Sequence, residues 1–192
     1  VNAMRLPKEA YYADKVMWNG WLDVDNKDVY IVGHWNYPGG TTKDVYVISN
    51  CDKVELFVND SSQGFGTQSS EFLFTFSDIT WESGQVRAVG YDSGDVMKAE
   101  HIKATAGSPD KIKLTVDTGP TGLRANGADI ALITAEIVDS AGNRCPTADD
   151  TVTFSVSGPA EYRGGIGRGT NNYILATSLP VECGVTRVSV RS

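Results

Sequence analysis

The chain has 192 residues, enough for one large domain or two small ones at roughly 100–150 residues per domain. Its 41% hydrophobic and 21% charged residues are those of a globular protein. A net charge of −7 and a pI near 4.8 exclude the basic footprint that nucleic acid requires and suit an anionic membrane no better.

The first eighteen residues differ from the rest. "LPKEAYYADKVMW" follows a proline with helix formers, and Pro7 suits a first helical position, where its missing N–H is no loss. Ala10, Asp14 and Met17 against Tyr11, Lys15 and Trp18 give helical spacing. A helix this short is marginal without packing.

From Asp28 the period switches to two. "DVYIVG" (28–33), "DVYVIS" (44–49) and "KVELFVND" (53–60) are β-branched and aromatic. "EFLFTF" (71–76) sets Phe72, Phe74 and Phe76 on one face, and "GQVRAVGYD" (84–92) and "VMKAEHIKAT" (96–105) follow. Turn residues separate these runs at Pro38-Gly39-Gly40, Asn59-Asp60, Glu82-Ser83-Gly84 and Asp92-Ser93-Gly94. The pattern predicts an antiparallel sandwich. "AGSPDK" (106–111) breaks the composition and reads as a linker. A second set then begins: "KIKLTVD" (111–117), the long strand "DIALITAEIVDSAGN" (129–143) ending in Asp139-Ser140-Ala141-Gly142-Asn143, "DTVTFSVSG" (150–158) and "GVTRVSVRS" (184–192). A sandwich pairs such a last strand with a further one, so the second domain is expected to be cut short. The fold class is all-β, two tandem immunoglobulin-like antiparallel sandwiches. The boundaries are 1–19 for the helix, 20–106 for the first sandwich and 107–192 for the second.

Few motifs carry chemistry. Cys51, Cys145 and Cys183 are odd in number and form no CxxC, so they read as small buried residues. "DVDNKDVY" (23–30) opens like a calcium loop but places Lys27 where an oxygen ligand is needed and Asp28 where the turn needs Gly. "GGIGRGTN" (164–171) is Gly-rich but has no helical pattern after it, so it reads as a loop and not a phosphate cradle. His34 and His101 are far apart in sequence, with no cysteine near either, and no metal or cofactor is expected. No apolar run approaches the ~20 residues of a membrane span.

The aromatic residues leave an open choice. Trp18, Trp21, Trp35, Tyr37 and Trp81 could stack on sugar rings or anchor packing. His34, Trp35, Tyr37 and Trp81 are the candidate carbohydrate contacts.

The residues also carry a family likeness. "RLPKEAYYADKVMW" resembles the end of the catalytic barrel in glycoside hydrolase family 2, the β-galactosidase and β-glucuronidase family. There an Arg-x-Pro-Lys-x-x-Tyr-Tyr pattern precedes a Trp, and the match falls on Arg5, Pro7, Lys8, Tyr11, Tyr12 and Trp18. "GHWNYPGG", "DVYVISNCDKVELFVND" and "AVGYDSG" are similar to the sandwich that follows the barrel, and residues 111–165 to the next, immunoglobulin-like domain. Ser61 and Ser62 depart from the Gly and Lys that relatives often carry there.

The resemblance implies a retaining β-glycosidase as parent, with an acid/base and a nucleophilic glutamate upstream of Val1; no glutamate in this chain matches those motifs. It implies a non-catalytic, structural role for these residues, with Tyr11, Tyr12 and Trp18 packing on the barrel. The alternative is a carbohydrate-binding module. The implied partners are the parent's catalytic barrel, glycans and a second copy in a homodimer, with no nucleic acid and no membrane. The implied location is periplasmic or secreted.

Overall fold

The computed structural model describes residues 6–165 and 171–192. The Gly-rich stretch at 166–170 and Arg5 of the family motif lie outside the described residues. The chain divides into two compact units, Pro7–Thr105 and Ala106–Ser192.

The first unit opens with helix α1 (Glu9–Leu22). Lys8 is its N-cap, so Pro7 precedes the helix and does not occupy its first position. The helix also runs three residues past the expected end at 19. Its strands are β1 (Val29–Ile31), β2 (Thr42–Ser49), β3 (Lys53–Val58), β4 (Ser61–Phe65), β5 (Thr67–Ser70), β6 (Leu73–Thr80), β7 (Gln85–Tyr91) and β8 (Met97–Ala104). They form two antiparallel four-stranded sheets, ordered β1-β2-β6-β5 and β4-β3-β7-β8. The apolar positions of both sheets meet in one core that includes Ile31, Trp35, Val47, Val54, Leu56, Phe74, Phe76 and Val86. Inward side chains of the two sheets thus share one core, as in a β-sandwich.

One turn falls where the sequence set it, and two other local features depart from the expected pattern. The β3–β4 hairpin turns on Asn59 and Asp60, both at positive φ (47° and 64°), as a primed two-residue turn requires. Ser61 and Ser62 open strand β4 directly after this turn. Phe72 precedes β6 and does not join Phe74 and Phe76 in the core; it packs edge-on against Trp21 of the helix, centroids 5.7 Å apart. Strands β4 and β5 are almost wholly polar and exposed, so alternation does not mark them.

The second unit contains β9 (Lys111–Asp117), β10 (Ile130–Val138), β11 (Thr151–Thr153), β12 (Glu161–Gly164), β13 (Ser178–Pro180) and β14 (Val185–Arg191). One antiparallel sheet is ordered β12-β14-β10-β9; across from it β11 and β13 form a two-stranded sheet. The shared core includes Ala106, Ala135, Ile137, Cys145, Val152 and Val181. The 150–158 run yields only three strand residues, and Val156 is exposed. Asp139 is buried and accepts from the N–H groups of Gly107 and Asn143, 2.8 Å each, which fixes the β10 turn. All three cysteines are free thiols; Cys51 and Cys145 are buried, but Cys183 is exposed, contrary to the buried reading.

Candidate functional site

Two places in the first unit concentrate the residues that sequence singled out. The first is the helix. Its inner face carries Tyr12, Val16, Asn19 and Gly20, spaced three and four apart. Val16 is buried. Tyr12 lies flat on Tyr30 of β1, centroids 4.1 Å apart, and Tyr30 stacks in turn on His101 of β8 at 4.9 Å. Gly20 is small by need: a Cβ there would meet the Phe72 ring at 2.5 Å. Lys15 reaches Asp28 at 2.8 Å, and Asn19 donates to the other oxygen of the same carboxylate. The helix is thus held on the sandwich by aromatic stacking and one shared carboxylate.

Its outer face is also apolar. Tyr11 is 45% exposed, Trp18 59%, Trp21 57% and Leu22 75%. A helix that is apolar on both sides is buried on both sides in a complete protein. Tyr12 faces the sandwich and so does not share that outer surface with Tyr11 and Trp18. Leu22, four residues beyond Trp18, is the member that sequence reasoning missed, and Trp21, three beyond, stood among the open aromatics without being grouped with Trp18. Helical spacing is the signal that groups them, and a helix ending at residue 19 conceals it.

The second place is the loop 33–37 with the turn after β6. Trp35 is 2% exposed. Its indole N–H donates to Glu82 O at 3.1 Å, while the Trp81 indole N–H donates to Trp35 O at 3.2 Å. Thr105 Oγ1 also donates to Trp35 O, at 2.8 Å. This reciprocal pairing pins the loop to the β6–β7 turn and leaves Trp35 no face for a sugar ring. Trp35 is corrected here from candidate platform to core residue, because both indole faces and its N–H are used internally.

Tyr37 and Trp81 are half-buried against the same core. His34 stacks on Tyr37 at 4.6 Å, and Lys43 Nζ donates to Tyr37 Oη at 2.8 Å. The Asn36 N–H donates to His34 Nδ1 at 3.1 Å, which leaves the imidazole proton on Nε2. Burial, then the Lys43 and Lys103 charges, hold the His34 imidazole below its usual value, with Glu9 opposing. His101 is held at about 4 by burial and then by Lys103. Its Nδ1 accepts the Ile31 N–H at 3.0 Å, a structural use of the ring. Among the described residues no group of three or more His, Cys, Asp and Glu gathers as a metal site. No helix of the described residues is long and apolar enough to cross a membrane.

Two tandem immunoglobulin-like sandwiches with a packed helix define a class of module found within larger polypeptides. Residues 112–179 match the model described as glycoside hydrolase family 2 C-terminal domain 5. Residues 40–98 match a domain of unknown function, DUF4982. A β-glucuronidase from Formosa agariphila is 46% identical over 193 residues, covering all of this chain and 19% of the relative. A β-galactosidase from Bacteroides ovatus is 35% identical over 159 residues, 82% of this chain and 18% of the relative. A solved β-glucuronidase of glycoside hydrolase family 2 superposes with a TM-score of 0.92 at 46% identity, over 100% of this chain and 20% of that one. A β-glycosidase from Bacteroides vulgatus superposes at 0.85 with 26% identity, over 100% of this chain and 24% of that one. The chain belongs to glycoside hydrolase family 2 and represents its C-terminal β-sandwich region. It spans about one-fifth of the length of the curated relatives it matches.

Proposed function

We propose that these residues are the accessory scaffold of a retaining β-glycosidase acting on β-glucuronides or β-galactosides. The outer face of α1 is the seat of the catalytic domain. The observation that carries the proposal is the exposed row Tyr11, Trp18, Trp21 and Leu22 on a helix whose opposite face is already packed. Contiguous apolar surface of this kind marks an interaction site. The named relatives, about five times as long as this chain, supply the polypeptide to cover it. The glutamate pair that retention needs then belongs to the catalytic domain and not to these residues. The alternative role, contact with glycan, falls on His34, Tyr37 and Trp81, which keep part of their surface open.

Hydroxyl-radical footprinting tests the scaffold role. Trp18 and Trp21 should oxidise readily in the 192-residue chain and be protected in the parent polypeptide. Equal reactivity in both would sink it. Calorimetric titration with galactosides and glucuronides tests the alternative. Saturable binding lost in Tyr37→Ala, with the fold intact, would move the function to the His34–Tyr37 loop.

A further inference from the structure

The second unit has an apolar face on β9 that nothing described covers. Ile112, Leu114 and Val116 are 51%, 60% and 58% exposed. Their neighbours on the same face of β10 are Ile137, Ala135 and Ile133, the direct partners in the ladder. Ala135 and Ile137 are buried against Val152 of β11. The face is therefore continuous across the two strands but covered only on the β10 side. The opposite face of β9 is polar and satisfied: Asp117 pairs with Arg187 at 2.7 Å, and Lys113 with Glu136 at 3.8 Å. Apolar residues on one side and paired charges on the other identify the exposed side as an interior one.

The facing layer explains the gap. Four strands stand in one sheet and two in the other. Among the described residues β11 pairs with β13 alone, so its other edge carries no strand. Between that edge and the start of β9 runs an open groove of about 230 Å³, lined by Ile112, Ile137 and Val152 together with the charged Asp110, Lys111 and Asp150; Leu114 and Val116 lie further along β9. A strand laid in this groove would extend the two-stranded sheet by backbone pairing at roughly 4.8 Å. It would stand about 10 Å above β9, the spacing of stacked sheets. The open edge of β11 and the apolar row of β9 thus meet at this groove, at Ile112.

We propose that this groove is filled by extended strands of the parent polypeptide outside these 192 residues, with apolar side chains at alternate positions. The apolar set would lie on Ile112, Leu114 and Val116, and the backbone would pair with Thr151–Thr153. The family 2 membership supplies the occupant: the related proteins carry some four-fifths of their length elsewhere in the chain. An occupant in the same polypeptide needs only weak intrinsic affinity, because tethering raises its local concentration. The proposal rests on the scaffold reading only in requiring a longer parent; it concerns a different unit and different residues from the α1 face.

The test is cysteine accessibility in a Cys183→Ser background, which removes the exposed native thiol. Leu114→Cys should react rapidly with a maleimide in the 192-residue chain and about a hundredfold more slowly in the parent, where local opening must precede reaction. Thr115→Cys, on the outer face, should react at similar rates in both. Fast reaction of Leu114→Cys in the parent overturns the proposal, even if Trp18 and Trp21 are protected there. Protection in the parent that disappears on dilution assigns the face to a second copy and overturns it equally.

Discussion

Strand β3 of the first unit and strand β9 of the second carry the same pattern. In β3, Val54, Leu56 and Val58 alternate with Lys53, Glu55 and Phe57; in β9, Ile112, Leu114 and Val116 alternate with Lys111, Lys113 and Thr115. All three apolar residues of β3 are buried, and none of β9 is. The residues do not differ enough in β-propensity to explain this. The opposing layer does: β3 faces a four-stranded sheet, whereas β9 projects past a two-stranded one. Alternation states which side of a strand is apolar, and burial depends on what stands across from it.

The largest expected effects test that difference directly. Trp35→Ala removes a buried indole and its N–H bond to Glu82 O, at a cost of about 3–5 kcal/mol to the first unit. Leu114→Ala in the 192-residue chain should change the second unit by no more than about 0.5 kcal/mol, the range for exposed positions. Amide hydrogen exchange of β3 and β10 reads the two units separately during urea titration. A loss at Leu114 approaching that at Trp35 would mean that the β9 face is covered in solution by another copy.

A pair of glycines makes the same contrast at smaller scale. A Cβ on Gly90 of β7 would lie 2.4 Å from Cys51 Sγ and 2.6 Å from Val29 Cγ2, inside the closed core. Gly90→Ala should cost about 1–3 kcal/mol, the usual penalty of overpacking. On Gly107 of the second unit the nearest atoms belong to Asp139, 3.7 Å away, an ordinary contact. Gly107→Ala should stay within about 0.5 kcal/mol. Thermal unfolding of both variants checks this.

Most of the fold was legible because the core strands announce themselves. Val45 and Val47, Val54 and Leu56, Phe74 and Phe76 alternate in the sequence and alternate in burial. The pattern fails where its physics does not apply. β4 and β5 are exposed strands at the edges of their sheets, paired by backbone, with Phe65 their one large apolar side chain. At Asp78 the backbone adopts positive φ, and the β2–β6 register shifts between Lys43↔Ile79 and Val45↔Phe76. That bulge brings Ile79 into the core out of phase with Phe74 and Phe76. The aromatic loop shows a different limit. His34, Trp35 and Tyr37 are adjacent in sequence, and only the partner carbonyl of Glu82, far along the chain, shows which of them points inward.

Acid should separate the units next. His101 titrates near 6.5 when unfolded and about 4 when folded, lowered chiefly by burial. Between these values the unfolded chain holds a proton that the folded chain lacks. The first unit is therefore most stable above pH 6.5 and loses stability as pH falls toward 4. Both histidines of the chain lie in this unit. In the second unit the Asp139 carboxyl is held below its usual 3.8, first by the Gly107 N–H. Its contribution is present above that value and is lost only as pH falls through the lower, folded one. Unfolding followed unit by unit from pH 7 to 4 should soften the first and leave the second nearly level. In His101→Asn, whose amide oxygen can still accept the Ile31 N–H, the slope should flatten. A slope unchanged by that substitution would remove His101 as its cause.

The smallest effect probes the part of the second core that is already closed. Thr186 of β14 sits opposite Ala135 and is fully buried. Its hydroxyl has no hydrogen-bond partner among the described residues. A buried hydroxyl without a partner loses its water and regains nothing, whereas a methyl of the same shape has nothing to lose. Thr186→Val should therefore stabilise the second unit by about 1 kcal/mol, the scale of one unsatisfied group. The gain should be the same in the 192-residue chain and in the parent, because Thr186 is already out of solvent before any strand reaches the groove. Leu114 is the opposite case, since its environment changes only when β9 is covered. A Thr186→Val gain confined to the parent would place the hydroxyl at the edge of the groove. The boundary between closed core and open face would then run through β14 and not along β9.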